Sequence, residues 1–362
     1  MGKINKKKVI ITIITVILIA VFVVGITIIS NNIKINNQMK TATHAITIEN
    51  EVKLYTSKNK TKEMTTLDIG TDTYILETVT NKNGEVLYKI KTGKKVGYVS
   101  KKDVGYYKEA NNEKELMVDV SQFNLNNNFK SIGQFKAFLI KNDIKYVYIR
   151  AGGRGYGKAG KFYFDDNYKE YAEACEYLKI PFGFYFLEEA ISSSEVDEEV
   201  KFMEDFLDEN KYEYNKLPVA LDVEKHVETG RADDIWETRY ELVNELITKL
   251  KKKKINSILY SNAVLANTYL TRVNAKMWLA YYPGIKQIPT SWDSMITTED
   301  NKSPEILKKV IGWQFTETGV SGKIDEKLDI SLVAKDFYKT QNLEIKNIKL
   351  LKGALNMLGL EW

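Results

Sequence analysis

The chain is poor in the residues that staple or metallate a fold. A single cysteine, Cys175, excludes an intramolecular disulfide framework. Its register with Tyr168, Tyr171, Ala172 and Leu178 at helical spacing marks it as core. The two histidines, His44 and His226, lie far apart with no partnering Cys or His, so a zinc site is not expected. Only five prolines occur, all between Pro181 and Pro304. Charge of neither sign dominates: 53 Lys and Arg against 48 Asp and Glu leave a formal +5, and Lys3, Lys6, Lys7 and Lys8 crowd the N-terminus. A nucleic-acid partner would require a concentrated basic face. The one strong run, Lys251–Lys254, closes a helical pattern, where it complements the helix dipole. No nucleic acid, metal or cofactor is therefore expected, and carboxylates must carry any chemistry.

What is present begins with Val9–Ile29, an uncharged apolar run of 21 residues. As a helix it spans about 30 Å, the thickness of a bilayer core. The run is longer than a signal-peptide core and no small-x-small site follows it before Asn31, which favours an uncleaved anchor. Lysines before the span and Asn, Gln and Thr after it place residues 1–8 in the cytoplasm, a single pass at 9–30, and the rest outside the cell. Residues 31–44 are polar and are expected to form a linker. Short β-type runs follow at Ala45–Ile48, Tyr74–Thr80, Val86–Ile90 and Val96–Ser100, separated by turn signals such as Asn83-Gly84 and Thr92-Gly93. The stretches from Gly70 and from Tyr88 to Val104 resemble bacterial SH3-like domains, which places such a domain at 45–107. The resemblance implies wall-peptide binding.

From Leu116 to about Val333 the texture changes to apolar strands alternating with amphipathic helices. Eight strands are expected: Leu116–Val120, Tyr146–Arg150, Phe182–Leu187, Val219–Val223, Ser257–Ser261, Met277–Tyr281, Val310–Phe315 and a short one at Lys327–Ile330. Helical patterns separate the early ones and fade beyond Tyr260. This is an α/β architecture, an irregular (β/α) TIM-like barrel with a helix-poor last third.

In such barrels the chemistry sits at the C-terminal ends of the strands. Acids fall there: Asp119 on strand one, Asp222 and Glu224 on strand four, and Asp329 at the last strand. Asp222 and Glu224 are one residue apart, so on a strand they share a face about 7 Å apart. Four converging carboxylates without His or Cys ligands favour glycoside hydrolysis. Tyr185, Tyr260, Tyr281 and Trp313, at corresponding strand ends, are candidate stacking faces for sugar rings; Arg150 and Gln314 complete the candidate binding set.

The motifs Met117-Val-Asp-Val-Ser-Gln-Phe, Tyr148-Ile-Arg-Ala-Gly-Gly-Arg-Gly-Tyr-Gly, Ile180-Pro-Phe-Gly-Phe-Tyr-Phe, Leu221-Asp-Val-Glu, Trp278-Leu-Ala-Tyr-Tyr and Trp313-Gln-Phe-Thr-Glu, followed by Asp329, resemble the series of glycoside hydrolase family 25, the Chalaropsis-type muramidases. The resemblance implies a catalytic barrel at 115–335 that cleaves the β-1,4 bond between N-acetylmuramic acid and N-acetylglucosamine in peptidoglycan. It implies Glu224 as proton donor, Asp222 as its neighbour, and Asp119 and Asp329 as the other acids of the mouth. Two routes remain compatible with the motifs: attack by a second carboxylate, or orientation of the substrate's own acetamido group. Ser331, Phe123 and Phe315 stand where the family often has Asn, Trp and Tyr. Residues 336–362 form a basic, partly amphipathic extension. The expected protein is thus a membrane-anchored peptidoglycan hydrolase, with glycan strands as substrate. Its anchor suits local wall opening beside an envelope-spanning secretion or conjugation machine; a non-catalytic wall-binding scaffold of such a machine is the alternative.

Overall fold

The computed structural model describes residues 6–155, 157–225, 231–291, 304–324, 327–335 and 337, so His226 and the C-terminal extension lie outside the described residues. The chain divides into two compact units, Met1–Tyr106 and Tyr107–Trp362.

The first unit opens with α1 (Lys6–Met39), whose apolar side chains from Val16 to Ile29 are exposed. A helix of this length and apolarity fits either a membrane anchor or a signal sequence. The polar stretch from Asn31, expected as a linker, instead continues the helix to Met39, leaving only Lys40–Ala42 before the first strand. Asn and Gln are tolerated there because they prolong an already nucleated helix, which costs far less than starting one. Gln38 at its end reaches Glu77 at 3.4 Å and Lys89 at 3.5 Å. Seven strands follow: β1 (Thr43–Thr47), β2 (Val52–Tyr55), β3 (Glu63–Leu67), β4 (Asp72–Thr80), β5 (Val86–Thr92), β6 (Lys95–Ser100) and β7 (Val104–Gly105). They form one antiparallel sheet in the order β3-β2-β6-β5-β4-β1-β7, around a core that includes Leu54, Leu67, Ile90 and Val99. Strands β2 and β3 escape the sequence pattern because β2 is only four residues long and β3 is exposed at most positions.

The second unit is a closed sheet. Its strands are β8 (Lys114–Val120), β9 (Tyr146–Arg154), β10 (Phe162–Phe164), β11 (Phe182–Leu187), β12 (Val219–Asp222), β13 (Ser257–Asn262), β14 (Met277–Ala280), β15 (Val310–Thr316) and β16 (Asp329–Ala334). β10 folds back on β9 as an antiparallel flap; the other eight close a ring in which β8 pairs with both β9 and β16. The pairs from β8 round to β15 are parallel. β16 is antiparallel to both neighbours. It also runs later than the segment expected from sequence, over Asp329–Ala334 rather than Lys327–Ile330. A parallel return needs a crossover, usually helical. Residues 317–328 contain instead a tight bridge between Val320 and Ile324, which turns the chain straight back.

Helices α2 (Ile132–Lys141), α3 (Tyr168–Leu178), α4 (Ser193–Glu209), α5 (Arg239–Lys252) and α6 (Ala263–Thr268) link the parallel strands. Ser131 and Ser192 cap α2 and α4 by accepting from the backbone N–H groups of Gln134 and Glu195. The buried stripe of α4, Val196, Val200, Met203 and Phe206, follows helical spacing. Cys175 is buried on α3.

Strand alternation separates two cores. Inside the ring, Met117, Tyr148, Ala220, Ile258, Trp278 and Val333 pack together. Outside it, Leu259, Met277 and Leu279 pack against Val243 of α5 and Leu265 and Ala266 of α6. Position along a strand therefore decides whether a side chain reaches the mouth.

Candidate active site

A cavity of about 320 Å³ opens at the C-terminal ends of the parallel strands, and Asp119, Asp222, Glu224 and Asp329 all line it. Asp119 and Asp222 end β8 and β12; Glu224 stands just past β12 on the same side as Asp222. Asp329 reaches the mouth from the start of its strand, because β16 runs the opposite way, and is the register partner of Asp119. Two pairs of acids result, one made across strands and one along a strand. Directly opposed like charges repel. Glu317 adds another carboxylate to the lining, and Arg150 is the one cation in it among the described residues.

This imbalance, with burial, governs protonation. Burial pushes Asp119 well above the usual carboxylate range, and repulsion from Asp329 adds to it. Burial and the neighbouring Glu224 do the same to Asp222. Glu224 is raised by burial. Asp329 is pushed up to about 7 by burial, then by Glu317 and Glu224. Protons in such a set belong to the group rather than to one member. Chemically, the arrangement holds protonated and charged carboxyls together near neutral pH, as acid catalysis beside an oxocarbenium-like centre requires.

Gln314 organises the acids. Its Nε2 donates to Asp119 Oδ2 at 2.8 Å, while its Oε1 accepts from Tyr260 at 2.8 Å and from Tyr282 at 2.5 Å. In this orientation the amide satisfies all three partners. Arg150 is fixed by Asp165, whose Oδ2 accepts from Arg150 Nε and from the Gln122 backbone N–H, each at 2.8 Å. Its guanidinium also lies 4.8 Å from the ring centre of exposed Phe123. Beneath the acids, Trp278 stacks on Tyr148 at 5.0 Å and donates through Nε1 to Ser331 at 2.9 Å. That bond gives Ser331 a role in the floor of the mouth.

Beside the mouth, Glu188 and Glu199 are buried with Arg239 and Arg154. Arg239 bonds Glu188 at 2.5 Å and Arg154 bonds Glu199 at 3.0 Å. The network holds the segment after β11, where the Glu188 N–H donates to the Asp222 carbonyl at 3.0 Å. Gly153, at φ 142°, tolerates no side chain here: a Cβ would collide with the Leu187 carbonyl. Among the described residues no His, Cys, Asp and Glu cluster is arranged to hold a metal ion.

Of the expected binding residues, Arg150, Tyr185, Tyr260 and Gln314 line the cavity and two do not. Trp313 is wholly buried, packs against Phe315 at 5.8 Å and donates to the Tyr281 carbonyl at 2.8 Å. Neither Trp313 nor Tyr281 offers a ring to the mouth. The register explains it: Trp278 and Ala280 pair with Gly312 and Gln314 and face inward, so Tyr281 and Trp313 face outward. The same alternation, applied through β14, points to Trp278 and Tyr282, which do line the cavity. Tyr163 and Glu317 also line it, and neither carries a periodic signal because each comes from a flap or loop.

The profile of Glycosyl hydrolases family 25 matches residues 118–324, more than half of the chain, from the last residues of β8 through the whole of β15. The chain belongs to glycosyl hydrolase family 25. The chain is also similar to solved structures. One is the spore cortex lytic enzyme SleM of Clostridium perfringens, with 20% identity, 63% of this chain and 70% of that one covered, and a TM-score of 0.46. A second is the catalytic domain of endolysin ply40 from bacteriophage P40 of Listeria monocytogenes, with 16% identity, 64% and 98% covered, and a TM-score of 0.45. A third is the modular autolysin LytC of Streptococcus pneumoniae, with 16% identity, 72% and 58% covered, and a TM-score of 0.46. No curated protein matches the chain. Family 25 membership makes it a glycoside hydrolase.

Proposed function

We propose that this family 25 enzyme is a membrane-anchored muramidase that hydrolyses the β-1,4 bond between N-acetylmuramic acid and N-acetylglucosamine in peptidoglycan. The observation that carries the reading is the convergence of Asp119, Asp222, Glu224 and Asp329 in one cavity with Arg150 as counter-charge. Glu224 donates the proton to the leaving oxygen: it is the least enclosed member of the along-strand pair and is raised by burial. Asp222 sets the charge beside it, and Asp119 and Asp329 stabilise positive charge developing on the sugar. Tyr185 and Tyr260 contact the sugar from the wall of the cavity, and Gln314 holds Asp119.

Exposed apolar α1 supports anchoring, and the lysines before it support an inward N-terminus with the enzyme facing the wall. The first unit, a small antiparallel sheet with its own core, supports the SH3-like reading of residues 45–107. An anchored enzyme cleaves wall close to the membrane, which suits local opening for an envelope-spanning apparatus; a truncation lacking α1 that preserved the biological role would sink this part.

The test of the chemistry uses the full chain in detergent micelles on purified peptidoglycan, with reducing ends identified by mass spectrometry. Muramic reducing ends should appear and should fall by about 10²–10⁴-fold with Glu224→Gln. Reducing ends on N-acetylglucosamine, or cleavage only of another glycan, would refute the reading.

A further inference from the structure

A second cavity adjoins the carboxylate mouth. It is a trough of about 660 Å³ that shares Tyr282 and Glu317 with the mouth, so a ligand can lie across both. Its walls come from the segment after β14, carrying Lys286, from Thr316 at the end of β15, and from the segment after it, carrying Thr318 and Ser321. We propose that this trough binds the peptide stem borne by the muramic sugar, with Lys286 meeting a stem carboxylate and the loop hydroxyls and backbone meeting its amides. The inference rests on the muramidase reading.

The chemistry of the walls separates a peptide from a continuing glycan. Sugar rings are held on aromatic faces, and among the described residues the trough offers one only at its junction with the mouth. There Tyr282 is 42% exposed and its hydroxyl is tied to Gln314. Phe315, the other ring in the walls, is buried against Trp313. Further out the walls are mixed, with Ile285 beside Lys286, Thr318 and Ser321. Lys286 and Glu317 are both exposed, and neither forms a salt bridge among the described residues. A cation and an anion on the same trough, neither in a salt bridge among the described residues, suit a ligand that carries both carboxylates and amines. Gly284, at φ 68° with nothing within 4 Å of its Cβ position, leaves bare backbone beside Lys286 for an extended chain to approach. A stem that follows its sugar would therefore leave the mouth past Tyr282 and enter the trough at Glu317.

The experiment compares glycan strands with stems intact and the same strands stripped by an amidase, digested by the full chain in detergent micelles. The wild type should favour stem-bearing strands. Lys286→Glu should reduce that preference about fivefold or more through KM, as expected for reversing one charge-assisted contact at a solvent-exposed site. Lys286→Arg should restore it. Equal kcat/KM on the two substrates would overturn the proposal, as would a preference untouched by Lys286→Glu. A KM that falls with glycan length on stripped strands would overturn it in favour of a sugar site. Absence of muramic reducing ends from both substrates would fail the muramidase reading itself, and this inference with it.

Discussion

The opposition of Asp119 and Asp329 makes a quantitative prediction for Asp329→Asn. Asp329 is held at about 7 instead of the ordinary 3.8. A group raised on folding stabilises the fold fully only below its unfolded pKa, and that contribution is lost as pH rises through the folded value. For Asp329 the loss runs from about pH 4 to a little above pH 7. At 1.36 kcal/mol per tenfold change in acidity, it amounts to at most about 4 kcal/mol. Asparagine keeps the shape and removes the charge, but its amide must find partners, which brings the expected gain down to about 2 kcal/mol at pH 8. At pH 4, where the charge contributes nothing, the same amide cost should leave the variant about 2 kcal/mol less stable than wild type. All five tryptophans lie in the second unit, so fluorescence-detected urea unfolding reports on the family 25 unit alone. A variant whose stability relative to wild type does not rise between pH 4 and pH 8 would refute the electrostatic account of the mouth. The same variant should lose activity, because stability and catalysis draw on the charge in opposite directions.

Gln314→Leu strands the Asp119 carboxylate and the Tyr260 hydroxyl in a buried site. It should cost about 2–4 kcal/mol by urea unfolding. Gln314 helps hold Asp119 down, so its loss should move the acid limb of the pH–rate profile to higher pH. Trp313→Phe should leave KM for peptidoglycan within about twofold, whereas Trp313→Ala should cost about 3–5 kcal/mol of stability, the signature of a core ring rather than a sugar platform. Arg239→Met leaves Glu188 buried without its cation and should destabilise by about 3–5 kcal/mol, read in the same unfolding assay.

The parallel part of the ring is legible in the sequence because each strand is covered on both faces and appears as an apolar run. Phe182–Leu187 and Val219–Asp222 are examples. Asp119, Asp222 and Glu224 are legible for the same reason, each being a charge at the end of such a run, whereas Asp329 stands at the start of one. Hydrophobicity says nothing about direction, so the reversal of β16 is invisible, although the weak helical pattern after Val310 is its trace. A strand end does not by itself say which face a residue takes, and Trp313 and Tyr281 take the outer one. Asp165, which fixes Arg150, lies in a loop and gains its meaning only through a contact with β9.

The reversed last strand has a topological consequence. β8 climbs from Lys114 at the floor to the mouth, and β16 descends from the mouth to Ala334, which pairs with Lys114. The polypeptide therefore joins and leaves the ring at one point, on the side away from the acids.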